Sequence, residues 1–137
     1  MTKLFTMQPA EKYRLTLFLL LAASSVIAIA VLAARAVTSE SYRYIFLVWN
    51  LILAWIPFLL AWVAYVSARL PKFLMLVLTS GSAILWLLFL PNAPYILTDF
   101  QHLAYPDTVV PVWYDVIMLL WFGWNGLLLG IVSLYFM

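Results

Sequence analysis

The chain has 137 residues, of which 68% are hydrophobic and only 9% charged. A soluble domain carries about 25% charged residues, so a water-soluble enzyme, a nucleic-acid binder and a disordered chain are excluded. The absence of cysteine removes disulfides, thiolate metal sites and a cysteine nucleophile. A net charge of +2 gives no footing for nucleic acid.

A membrane helix needs about 20 predominantly apolar residues. Four stretches meet or approach that length: 15–34, 44–68, 73–90 and 112–137. Of the seven Lys+Arg and five Asp+Glu, only Asp115 falls inside one of them. The expected fold is therefore an all-α membrane protein, a bundle of four transmembrane helices forming one polytopic domain over 1–137. Its partner is the lipid bilayer.

The first span ends at Ala34-Arg35-Ala36, a small-x-small pattern of the kind cleaved after signal peptides. A signal h-region runs about 7–15 residues, and this apolar stretch is longer, so a retained helix is expected. It is rich in small residues: Ser24, Ser25, Ala28, Ala33 and Ala34. Lys3, Lys12, Arg14, Arg69 and Lys72 fall on one side of the four spans, and Arg35 and Arg43 on the other. The positive-inside rule then places both termini in the cytoplasm. Tyr42, Tyr44, Trp49, Trp113 and Tyr114 cluster near the outer surface and read as an interfacial aromatic belt. In the second span, Pro57 removes a backbone donor and predicts a kink.

The connection between the third and fourth spans is the most informative stretch. Pro91 is expected to close the third helix, because a residue preceding proline is disfavoured in the α region. Asn92 or Ala93 can cap a new helix with Pro94 in its first turn. At α-helical spacing, Ile96, Phe100 and Leu103 mark one face, and Tyr95, Asp99 and His102 another. The expectation is a short amphipathic helix over about 94–104, lying in the interface or dipping back into the bundle. Tyr105-Pro106-Asp107-Thr108 then reads as a turn.

His102 is the chain's one histidine, three residues after Asp99. Such a pair can share a proton or cation, or can pin the segment by a hydrogen bond; two donors do not make a zinc site. Asp115 sits in the first turn of the fourth span, where a helix N-terminus favours an anion. Asn50 lies about 9 Å below the start of the second span, and Arg43 at that end could pair with any of the three aspartates. Arg43, Asn50, Asn92, Tyr95, Asp99, His102 and Asp115 are thus the candidate polar pocket, opening outward. In the last span, Gly123, Gly126 and Gly130 form a stripe expected to face another helix.

Trp49-Asn50, Trp55-Ile56-Pro57, Pro91-Asn92-Ala93-Pro94-Tyr95 with Thr98-Asp99, Trp113-Tyr114-Asp115 and Trp124-Asn125-Gly126 together resemble a family of bacterial membrane proteins, domain of unknown function 1361. The resemblance runs over residues 44–130. It implies a multi-pass protein of the bacterial cytoplasmic membrane, with further helices beyond these four, and supplies no activity.

Three functional readings follow. The first is a small-solute or ion binding or transport module with an outward-facing pocket. The second is a structural or assembly subunit of a larger membrane complex, as a homo-oligomer or with a partner subunit. The third is a membrane-embedded enzyme using Asp99 and His102 as acid and base, with Asp115 as metal ligand or electrostatic partner. This last has no Gly-x-Ser-x-Gly, His-Glu-x-x-His or phosphate loop behind it. No cofactor or metal ligand set is expected.

Overall fold

The computed structural model describes residues 9–104 and 109–137, which hold four long helices and no strand. α1 spans Pro9–Ser39, α2 Phe46–Ser67 and α3 Lys72–Phe89. A single turn, α4, covers Asn92–Tyr95 and runs into a 3-10 helix, η1, over Ile96–Ala104; α5 covers Val112–Phe136. The four long helices are each long and apolar enough to cross a membrane. The Tyr105–Thr108 turn signal lies outside the described residues.

α1 continues past the end of its apolar run because its buried stripe continues. Leu21, Ser25, Ala28, Leu32 and Arg35 are all buried, spaced four, three, four and three, the seam of a helix packed along its length. Arg35 therefore belongs to the helix rather than to a loop, and it faces inward. The helix ends at Ser39, followed by Glu40 in the left-handed region (φ 52°).

α2 is the central helix, packed against α3 on one side and α5 on the other, while α1 lies against α5. Its stripe of Leu47, Leu51, Ala54, Phe58 and Ala61 is fully or almost fully buried. The helix runs unbroken through Pro57, whose ring is buried. Near the Arg14 end the core is aromatic: Phe18 meets Trp55 at 5.7 Å, and Phe136 meets both Phe58 and Trp62 at 5.6 Å between ring centroids. Arg14 stacks on Tyr65 at 3.7 Å, its charge at the edge of this cluster. α3 is the peripheral helix; Ser82 is its one buried residue, and Phe73, Leu76, Leu87 and Leu88 are exposed where a bilayer would cover them.

At Pro91 the backbone does not turn away. Leu90 and Pro91 both keep α-region dihedrals, against the expectation that Leu90 would be forced out of that region. What ends α3 is the missing donors of Pro91 and Pro94. Ala93 N donates to the Leu90 carbonyl in place of Pro94, at 3.1 Å. The Asn92 amide donates to the Phe89 carbonyl at 3.0 Å, so Asn92 caps the end of α3 rather than the start of α4.

Of the two placements open to this segment, the contacts are those inside the bundle. α4 sits between α2 and α5. A Cβ on Gly126 would collide with the Ala93 carbonyl oxygen and lie 2.9 Å from Ile96 Cδ1, one on Gly130 would lie 3.0 Å from Ala93 Cβ, and one on Gly123 2.8 Å from Leu97 Cδ2. The glycine stripe of α5 is thus the seat of α4 and of the first turn of η1. Gly126 lies about 21 Å along α5 from Val112, past the middle of that helix. From there the chain climbs back towards the start of α2, where the His102 ring packs 4.8 Å from Phe46. The third crossing is therefore discontinuous: α3, a break at Pro91–Pro94, then η1, within one apolar stretch of Lys72–Ala104.

Candidate functional site

The 3-10 winding decides which side chains meet. In a 3-10 helix residues three apart eclipse, so η1 sorts into three stripes. Ile96, Asp99 and His102 form the inward stripe, with Ile96 fully buried, Asp99 3% exposed and His102 half-buried. Leu97 and Phe100 approach Gly123. Thr98, Gln101 and Ala104 are exposed. An α-helical spacing would have grouped Asp99 with Tyr95; instead Tyr95 is 53% exposed.

Asp99 meets Asn50 across the α2 interface: the Asn50 amide donates to Oδ2 at 2.8 Å. No ion pair engages Asp99 among the described residues. Arg43 donates from Nη2 to the His102 backbone carbonyl at 3.1 Å, fixing the last turn of η1 to the entry of α2. The His102 ring meets Tyr44 edge-on at 6.4 Å.

Asp115 has a different partner. Arg35 of α1 takes it with a two-pronged contact, Nε to Oδ1 at 2.6 Å and Nη2 to Oδ2 at 3.1 Å. Both side chains are 1% exposed. The guanidinium also stacks on the Tyr44 ring at 4.5 Å and donates to Ser39 Oγ at 3.3 Å. Fork geometry, a planar aromatic face and a helix N-terminus under the carboxylate are the conditions in which a buried pair offsets its desolvation. Beside it, the Tyr114 hydroxyl donates to the Val31 carbonyl at 2.8 Å, a second tie between α1 and α5.

The structure thus brings Asn50 to Asp99 and Arg43 to His102, and sets Asp115 against Arg35. Asn92 is used in ending α3, and Tyr95 faces outward. Arg35 and Tyr44 are the members that sequence reasoning missed. Arg35 reads as a loop charge, but the spacing that leads from Leu21 to it is visible in the sequence. Tyr44 reads as a belt aromatic, yet is 1% exposed, while Tyr42, Trp49 and Trp113 are exposed. Two buried polar atoms lack a hydrogen-bond partner among the described residues, the Tyr44 hydroxyl and Asn125 Oδ1. The Asn125 amide donates back to the Trp121 carbonyl at 3.0 Å. It marks the polar interior of the bundle, beside Gly126 and well below Asp115.

No curated protein and no solved structure matches the chain. A family model does, over residues 49–137, which takes in α2 from Trp49, the whole broken third crossing and α5, and leaves Arg35, Arg43 and Tyr44 upstream. Most of the site and most of the chain fall within that match, and the chain belongs to the family described as Protein of unknown function (DUF1361).

Proposed function

We propose that this multi-pass protein binds a small solute or ion in a polar site at the Arg35 end, built on Asp99, Asn50, His102 and Arg43 and bounded by Asp115, Arg35 and Tyr44. One observation carries the reading: Asp99 is a carboxylate 3% exposed at the end of a broken crossing, met by a neutral amide and not by a cation. Ionisable groups at membrane depth commonly mark pathways, and discontinuous helices build many transporter sites. The distribution of Lys and Arg supports an orientation with the Arg14 end inside and the site facing out, and the resemblance to a bacterial family suggests a bacterial cytoplasmic membrane.

The test is thermal unfolding of the protein in lipid nanodiscs, titrated with NaCl, KCl, MgCl2, CaCl2 and acid. A ligand at a hundred times its Kd stabilises by about 2.7 kcal/mol. At least one titrant is expected to raise the midpoint of the wild type and to leave Asp99→Asn unmoved. An equal response in both proteins, or no response in the wild type, contradicts the reading.

A second reading, a structural or assembly subunit, is favoured by the two-pronged Arg35–Asp115 pair, which ties α1 to α5 and is satisfied internally. Under it, Asp99→Asn, His102→Ala and Asp115→Asn would each lower membrane abundance. Under the binding reading, Asp99→Asn leaves abundance at the wild-type level.

A further inference from the structure

The two buried aspartates are partnered by groups of opposite capability, and this names the ligand class of the site just proposed, on which the inference rests. A guanidinium offers donors and no acceptor. Asp115 is gripped at both oxygens by Arg35, a partner that itself offers no acceptor for a carboxylic O–H. An amide offers both a donor and an acceptor. Asn50 donates to Asp99 Oδ2 at 2.8 Å, a separation that falls within the ordinary range of an N–H···O bond and equally of an O–H···O bond. Turned through half a rotation about its terminal torsion, the same amide would accept a hydrogen bond from a protonated Asp99.

We propose that Asp99 is a proton-exchange site and Asn50 its reversible partner. A proton from the aqueous phase adds to one carboxylate oxygen, forming an O–H bond, and water is left behind. The Asn50 amide turns to present its carbonyl, and no electrons move. Release reverses the step. The surroundings suit a proton better than a metal ion. Hard cations take six or more oxygen ligands, and Asn50, the side chain that meets Asp99, would supply at most one beside the carboxylate itself. No group of three His, Cys, Asp or Glu able to hold a metal occurs among the described residues.

The groups around Asp99 also favour a local exchange. On its own segment is His102. At the entry to α2 are Arg43, bonded to the His102 carbonyl, and Tyr44, edge-on to the His102 ring. On α5 is Asp115, already neutralised by Arg35 of α1. α4 contributes Tyr95, which is exposed. His102 is therefore the neighbour whose titration needs separating from that of Asp99.

The experiment is infrared difference spectroscopy of the full chain in lipid bilayers between acid and alkaline buffer, across about pH 4 to 9, which brackets the spread of carboxyl titrations in proteins. A carboxylic C=O band that grows on acidification is expected in the wild type. Glu11, Glu40, Asp107 and the C-terminal carboxyl contribute to this band at about pH 4 in every variant, so the Asp99 component is the difference between wild type and Asp99→Asn. That component should persist in His102→Gln and move to higher wavenumber in Asn50→Leu, where the acid loses its acceptor. A band undiminished in Asp99→Asn, or no band at all, overturns the inference. If the Asp99 component is absent while a metal salt still raises the unfolding midpoint in an Asp99-dependent way, the ligand is a cation and the binding reading survives. If neither response is seen, both fall.

Discussion

Asp115→Asn is expected to destabilise the protein by about 3–5 kcal/mol, the cost of leaving one member of a buried ion pair uncompensated. The cost lies on the packing link more than on the loss of attraction. Arg35 is 1% exposed and is set on the inward stripe of α1, so without Asp115 its charge is left buried. Tyr44 would still offer its ring face to the guanidinium, but a cation–π contact is worth about 2 kcal/mol even when desolvated, less than the loss. Replacing both partners with apolar residues of similar size, Arg35→Met with Asp115→Leu, removes the charge along with its need for a counter-charge. That double variant is expected to recover most of the stability. Equilibrium unfolding of the two variants beside the wild type checks both statements. A single variant within about 1 kcal/mol of wild type would mean that the pair is solvated, as surface pairs are.

The second large effect is at Gly126. Its added Cβ would run into the Ala93 carbonyl and lie 2.9 Å from Ile96 Cδ1. The backbone oxygen cannot rotate aside as a side chain would. Gly126→Ala should therefore cost about 1–3 kcal/mol by overpacking, and should loosen η1, because Ile96 opens the stripe that carries Asp99. Gly81 is the internal control: nothing lies within 4 Å of where its Cβ would be. Gly81→Ala should be neutral or gain up to about 1 kcal/mol of helix propensity. If both substitutions behave alike, the glycine stripe is not the seat of α4.

The four crossings were legible because apolar length is a coarse signal that one or two charges cannot erase. The site was half legible. Asp99, His102, Asn50 and Asp115 stand out as polar residues in apolar company, but their pairing depends on helix type and on reach. The period-three order of Ile96, Asp99 and His102 is present in the sequence, and α-helical spacing hides it by pairing Asp99 with Tyr95. Leu90 shows a further limit. Proline biases the residue before it by a modest energy, and a packed bundle can overrule that bias, leaving only the missing donors of Pro91 and Pro94 to break the crossing. Arg35 was hidden by the habit of ending a membrane helix at its first charge. The buried seam it completes is decided by α5, which supplies the carboxylate from 80 residues away.

All of this depends on the depth of the break in the third crossing. Leu90 and Pro94 share a groove with Leu127, Gly130, Ile131 and Leu134, far along α5 from Val112. An unbroken third helix would instead bring Leu90 to the bilayer surface, level with Trp113. Because the chain has no cysteine, a nitroxide placed by Leu90→Cys reports one site. Its accessibility to oxygen and to a water-soluble nickel complex should match that of a label at Leu127→Cys, which lines the same groove about 21 Å along α5 from Trp113. A Leu90 label as open to nickel as one at Trp113→Cys would contradict the broken crossing, and with it the placement of Asp99 against Asn50.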